Sequence, residues 1–371
     1  MLKPLYRIAP LILFAPIAFA NTDGIDRSLQ IRKYSRPCCG FLTGGLAERM
    51  GFSGFVDPAK LGPHDFGALN KKKNKKDKTA PKEKFGMVFT CNGGFVDVAH
   101  LRDNADWAAQ IYLTLQDQVG TGASVPIRLE TDLKSYTLEL PKLTSQEVAA
   151  LTPAILGDAA VTLAFDAGVL HEIGTQFPQT VSGPKIGALT DWAINERNSS
   201  FSLEDVYSNL IGAKLGIEAI RSSKPFNEAM TELLDQKLKD LKVVSLAQSR
   251  EVYQSLKGTW WDSSPYKLDH KNVRKKNFGY TGIITPAVPT NDTIQKICGT
   301  QQKMDSEVPG VSMQVGYIRQ VPDKRYLRKL KRGIGFTPRT RSKEITAEDF
   351  PVIVPAIRAR VLKDLPEADT Y

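Results

Sequence analysis

The sequence predicts an α+β protein: a predominantly helical core with short flanking strands and hairpins, and N- and C-terminal segments tied by disulfides. Three observations carry this. Pro153 to Phe177 reads as a helix that is apolar on every side, which is the pattern of a buried helix. Leu203, Val206, Leu210, Ala213, Ile217 and Ile220 form a stripe at 3.6-residue spacing. Short segments of alternating character flank this helical middle, and the chain shows no internal repeat.

At the N-terminus, Lys3 and Arg7 precede an apolar run from Ile8 to Ile17 and then Ala18-Phe19-Ala20, the layout of a cleaved export signal. Cleavage near Ala20 is expected to release a periplasmic or secreted chain, with no transmembrane segment in its mature part. Residues 21–257 are expected to form the main helical domain, and 258–371 a Pro/Gly-rich basic region packed on it. The cysteines are Cys38, Cys39, Cys91 and Cys298, an even number suited to an oxidising compartment. Adjacent cysteines would close a strained ring, so Cys38 and Cys39 are each expected to reach one of Cys91 and Cys298. A cysteine metal site lacks the C-x-x-C spacing.

The formal charge is +10. Between Lys71 and Lys84 eight lysines face Asp77 and Glu83, a net of +6 in one segment. The plain reading is a solvated, mobile loop. The alternative partner is an anionic envelope surface. No nucleic-acid motif is present.

Residues 21–70 read as irregular, with His64 in a turn composition, exposed or capping. Phe85 to Cys91 reads as a strand closed by the Asn92-Gly93-Gly94 turn, and a helix follows to about Gln116. On that helix Arg102 and Asp106 have the spacing of an i,i+4 ion pair. Val125 to Leu140 reads as a hairpin turning at Thr131 to Lys134. Thr144 with Glu147 forms a capping box, and Pro153 suits the first turn of the long helix. Helices are expected over Asn227–Leu241 and Ser245–Leu256. A strand is expected at Val311–Arg319, a basic segment at Lys324–Arg332, and a last helix near Pro355–Leu365.

The candidate chemistry lies where apolar helices turn polar. Positions 97, 100, 104, 108, 111 and 115 share one helical face and read Asp, His, Asn, Ala, Ile, Leu, so His100 points inward beside Asp97. The Pro153 helix ends in His171-Glu172, and a buried imidazole and carboxylate need partners. In the plain structural reading Asp97 caps its helix through the His100 N–H, and the histidines are core residues. In the functional reading His100, His171 and Glu204 bind zinc, and Glu172 is the general base of a hydrolase. Asp205 is assigned to a capping box with Ser202. His171-Glu172-x-x-Thr175 matches half of the zinc-protease helix H-E-x-x-H, but Thr175 stands at the second ligand position.

Four segments together resemble an uncharacterised family of exported bacterial proteins, the domain-of-unknown-function family 4056. They are RPCCGF at Arg36, GFVDVAHLRDNADW at Gly94, HEIGT at His171 and SFSLEDVYSNLIGAKLG at Ser200, and the likeness spans residues 36 to about 220. The resemblance implies a Gram-negative envelope protein and carries no activity, cofactor or catalytic residue. Two classes of function stand: a metal-dependent hydrolase with a His/Glu site, and a non-catalytic envelope binding or structural protein using a basic surface.

Overall fold

The computed structural model describes residues 36, 54–66, 82–127, 135–177, 200–261, 273–310, 315–338 and 343–369. The export signal, Cys38, Cys39, Lys71 to Pro81, the Thr131 to Lys134 turn, Trp192 and Val311 to Gln314 lie outside the described residues.

The first strands among the described residues form a hairpin, β1 (Met87–Thr90) and β2 (Gly94–Asp97), paired from Met87↔Asp97 to Thr90↔Gly94. It turns through the expected Asn-Gly-Gly and runs straight into α1 (Val98–Gln118). The Asp97 carboxylate accepts from the Ala99 N–H at 2.7 Å and the His100 N–H at 3.4 Å, the capping that a first helical turn requires. β3 (Ser124–Ile127) and β4 (Ser135–Glu139) form the expected second hairpin. The capping box of Thr144 and Glu147 opens α2 (Ser145–Ala150), and Thr152 caps α3 (Pro153–Gln176). Then come α4 (Asp205–Ile220), α5 (Phe226–Asp240), α6 (Leu246–Ser255), β5 (Ile283–Ile284), α7 (Asp292–Cys298), β6 (Ser306–Glu307), β7 (Tyr317–Val321), α8 (Lys324–Ile334), β8 (Ile345–Thr346) and α9 (Phe350–Asp364). The antiparallel sheet β3-β4-β7-β8 combines the middle of the chain with its C-terminal part, and the small sheets β1-β2 and β5-β6 stand apart from it.

The helical centre is α1, α3 and α4. Leu101, Ala105 and Ala108 on α1, Ala160, Ala164 and Leu170 on α3, and Leu210 and Ala213 on α4 are fully buried in one core, which Ile318, Ile345 and Ile353 extend. A second cluster joins Phe89 and Phe95 to Val252, Trp260 and Trp261. α3 is not buried all round: Asp158 is exposed, Thr162 and Asp166 are half-buried, and Ile155 is 42 % exposed, so one stripe at i,i+3 and i,i+4 spacing reaches the surface. By length and composition alone α3 would suit a bilayer, yet 67 % of its apolar window is packed inside the fold.

Two glycines set the α1–α4 distance. A Cβ at Gly212 would lie 2.1 Å from the Leu101 carbonyl oxygen, and one at Gly216 2.3 Å from that of Ala105. Gly212→Ala is therefore expected to push the helices apart and to cost about 1–3 kcal/mol, read from the urea midpoint. A variant as stable as the parent would show that α4 does not pack on α1 this closely.

Three expectations are corrected. Cys91 pairs with Cys298, with Cα atoms 5.5 Å apart, so neither is available to Cys38 or Cys39. The end of β1 and the end of α7 meet, and the bond ties early and late segments as expected through a different pairing. His64 is neither exposed nor a cap; it is 2 % exposed and its Nε2 lies 2.8 Å from Asp106 Oδ1. Arg102 does not pair with Asp106 across one turn. It donates to Glu83 Oε1 at 2.7 Å, whereas Asp106 Oδ2 accepts from Arg36 Nη1 at 3.0 Å.

The corrections at His64 and Arg102 share one cause. The charged face of α1 is covered by earlier chain, so α1 is a central helix enclosed on both faces. Arg36 is the hub: it donates to both oxygens of Asp103, at 2.8 Å from its backbone and 2.6 Å from Nη1, and to Glu83 Oε2 at 2.9 Å. Glu83, counted in the lysine-rich segment, is thus anchored in this network.

Candidate metal centre

Three helices and the strand β2 bring one histidine pair and four carboxyl groups to a common point. β2 delivers Asp97 and α1 delivers His100 and Asn104; α3 contributes His171 and Glu172; the start of α4 contributes Glu204, Asp205, Ser208 and Asn209. All are buried except His171, which is half-buried. The His100 and His171 rings meet edge to face with centroids 5.8 Å apart.

The His100 tautomer follows from a chain of hydrogen bonds. The His100 carbonyl can only accept, so Asn104 Nδ2, at 3.0 Å, is the amide nitrogen. The same Nδ2 donates to Asn209 Oδ1 at 2.6 Å, which makes that atom an acceptor. His100 Nδ1, 2.9 Å from Asn209 Oδ1, therefore carries the proton. In the neutral ring Nε2 keeps its lone pair, and it lies 3.5 Å from Asp205 Oδ1. This is how a metal-binding histidine is oriented by a partner behind it. Gly168 on α3 makes room, since a Cβ there would sit 3.0 Å from Asn209 Nδ2.

Glu172 is held at one oxygen only. Its Oε2 accepts from the Phe201 N–H at 2.7 Å, while Oε1 is buried with no hydrogen-bond donor among the described residues. Phe201 adopts φ 52, a left-handed conformation costly for a bulky residue, with its side chain fully buried. Ser200 Oγ donates to the Glu172 carbonyl at 2.9 Å, so residues 200 and 201 clamp this turn of α3.

Ser202 Oγ lies 2.8 Å from both Glu204 Oε1 and Asp205 Oδ2. One hydroxyl proton serves one carboxylate, so the second contact needs a proton on a carboxyl group. Burial pushes the Glu204 carboxyl up to about 7. Burial, with Glu172 nearby, holds Asp205 well above the usual carboxylate range. Lys276 supplies a buried ammonium whose Nζ donates to the Ser200 carbonyl at 2.9 Å, and burial lowers it to about 8. Glu204 Oε2, like Glu172 Oε1, is buried without a donor among the described residues. A cation is what such a cluster takes up most favourably.

The ligand-capable atoms of His100, His171 and Glu172 lie within 4.8 Å of one another, and so do those of Asp97, His100 and Asp205. These groups fit a metal ion. Of the expected residues, the fold brings His100, His171 and Glu172 together; Glu204 stands behind, bonded to Ser202. Asp205, read from sequence as a cap, takes the forward place: Ser202 Oγ bonds the acid side chains instead of capping a backbone N–H, and α4 begins with no side-chain cap. The sequence carried a signal for this, because Asp205, Ser208 and Asn209 are polar residues at i, i+3 and i+4 on an otherwise apolar helix. Nothing in its local sequence marked Lys276.

A model of the family described as "Protein of unknown function (DUF4056)" matches residues 28–289, a span that includes Arg36, every residue of this centre and Lys276. No curated protein and no solved structure matches the chain.

Proposed function

We propose, for a chain that belongs to the DUF4056 family of proteins of unknown function, a metal-dependent hydrolase with a single zinc centre at the meeting point of α1, α3 and α4. The observation that supports it is the pair of donor triads sharing His100, beside a Glu172 oxygen that has no hydrogen-bond donor among the described residues. Two imidazoles and a carboxylate make a donor set that suits zinc. His100 Nε2 is common to both triads; in this reading His171 from one triad and Asp205 from the other complete the ligand set, with Asp205 in the place expected of Glu204 and Glu172 kept as base.

Zinc bound there supplies Lewis acidity toward water and a carbonyl or phosphoryl oxygen. Asn209 holds His100 Nδ1–H and thereby aims Nε2. The Phe201 N–H fixes Glu172 Oε2, so Oε1 is the atom that takes a proton from the attacking water. Lys276 offsets the remaining carboxylate charge. Export of the chain, with cleavage near Ala20 and a periplasmic or secreted location, belongs to the same proposal; the Cys91–Cys298 disulfide supports it.

Glu172→Gln is expected to keep zinc affinity within a few-fold by calorimetry. It should lower hydrolysis across a panel of esters, peptides and phosphate esters by at least about a hundredfold. Loss of zinc from that variant would make Glu172 a ligand and end its assignment as base. A zinc-loaded parent chain that cleaves no member of the panel would contradict the hydrolase reading and leave a metal-binding envelope protein.

A further inference from the structure

We infer that α8 is a docking surface for an anionic phospholipid bilayer. From Lys324 to Arg332 the helix carries six basic residues and no acidic one. Tyr326 and Leu330 are buried and fix the helix to the core, Arg360 Nη1 from α9 donates to the Gly333 carbonyl at 2.8 Å, and Lys324, Arg325, Arg328, Lys331 and Arg332 are exposed. The helix is thus held so that its cationic residues face outward.

Helix stability does not account for these charges. Lys331 and Arg332 in the last turn suit the helix dipole, but Lys324 and Arg325 sit in the first turn, where cations are unfavourable. Arg328 adds like-charge neighbours at i,i+3 or i,i+4 to Lys324, Arg325, Lys331 and Arg332, and each such pair is repulsive. A local arrangement that destabilises its own helix is expected where an external anion removes the repulsion. Two apolar side chains choose a bilayer over a nucleic acid as that anion. Val321, just before the helix, is 41 % exposed, and Val352, on the neighbouring α9, is 44 % exposed. Exposed apolar groups beside a cationic helix suit a lipid interface, which offers both phosphate and hydrocarbon.

The test is flotation of the full chain with vesicles of phosphatidylcholine alone and of three parts phosphatidylcholine to one part phosphatidylglycerol, at low salt. Binding is expected only to the anionic vesicles. Lys324→Gln with Arg325→Gln should reduce it about thirtyfold. These two changes remove unfavourable first-turn charges, so the variant should melt no lower than the parent. Neutralising Lys71 to Lys78 instead should leave binding within a few-fold. Equal binding to both vesicle types would overturn the inference, as would a double variant that binds like the parent. It would also fall if α8-dependent binding appeared with single-stranded RNA and not with vesicles.

Discussion

Arg36→Met is expected to destabilise the protein by about 3–5 kcal/mol in urea unfolding, because it strands buried carboxylates that Arg36 now pairs. The residue touches Glu83, Asp103 and Asp106 at once, and its side chain is 2 % exposed. Arg36→Lys should restore little of this, since one ammonium cannot reproduce the several directed contacts of a guanidinium. Burial alone would raise the Asp106 carboxyl; the Arg36 charge, with His64 behind it, outweighs burial and holds it at about 2. A carboxyl group depressed in the fold contributes stability that is present above its unfolded value near 4 and lost as pH falls through 2. The parent should therefore lose stability across that acid window, and Asp106→Asn should flatten the loss there. Asp103 works the other way: burial raises it to about 6, so its cost appears as pH rises from about 4 to 6. An Arg36→Met variant within 1 kcal/mol of the parent would show that the Arg36 network does not hold the charged face of α1 in place.

The second large effect is at Cys91–Cys298. The bond closes a span of 207 residues, and the chain-entropy relation assigns a loop of that length about 5 kcal/mol. The variant with both Cys91→Ala and Cys298→Ala is expected to lose most of that, measured as the unfolding free energy under non-reducing conditions. Peptide mapping should recover Cys91 and Cys298 in one cross-linked peptide. Recovery of either joined to Cys38 or Cys39 would contradict the fold at the junction of β1 and α7.

Much of the helical framework could be read from the chain because its signals are local. The Thr144–Glu147 box, Thr152 with Pro153, and the Ser245–Gln248 box at α6 each fix a helix start through contacts three residues apart. His100, His171 and Glu172 were legible as polar residues on inward faces. The Arg36 network was not, because pairing Asp106 with Arg36 spans 70 residues, and periodicity cannot tell a solvent-facing charged stripe from one covered by distant chain. Periodicity also could not separate Glu204 from Asp205, adjacent acids at a helix start; only the backbone geometry of residues 200–205 decides which one faces His100. Lys276 lies far along the chain from Ser202 and meets it through a β-bridge, and no spacing rule connects them.

Metal content decides whether His100, His171 and Asp205 form a zinc centre. Chain produced in zinc-supplemented medium, freed of loosely bound ions by dialysis and measured by elemental analysis, is expected to hold one zinc per chain. His100→Ala and His171→Ala, checked by circular dichroism for folding, should hold none. Folded parent chain that retains no metal and takes up none of zinc, manganese or iron on titration would rule out a metal centre, and would make the Asp97–His100–Asp205 and His100–His171–Glu172 groups a buried polar core.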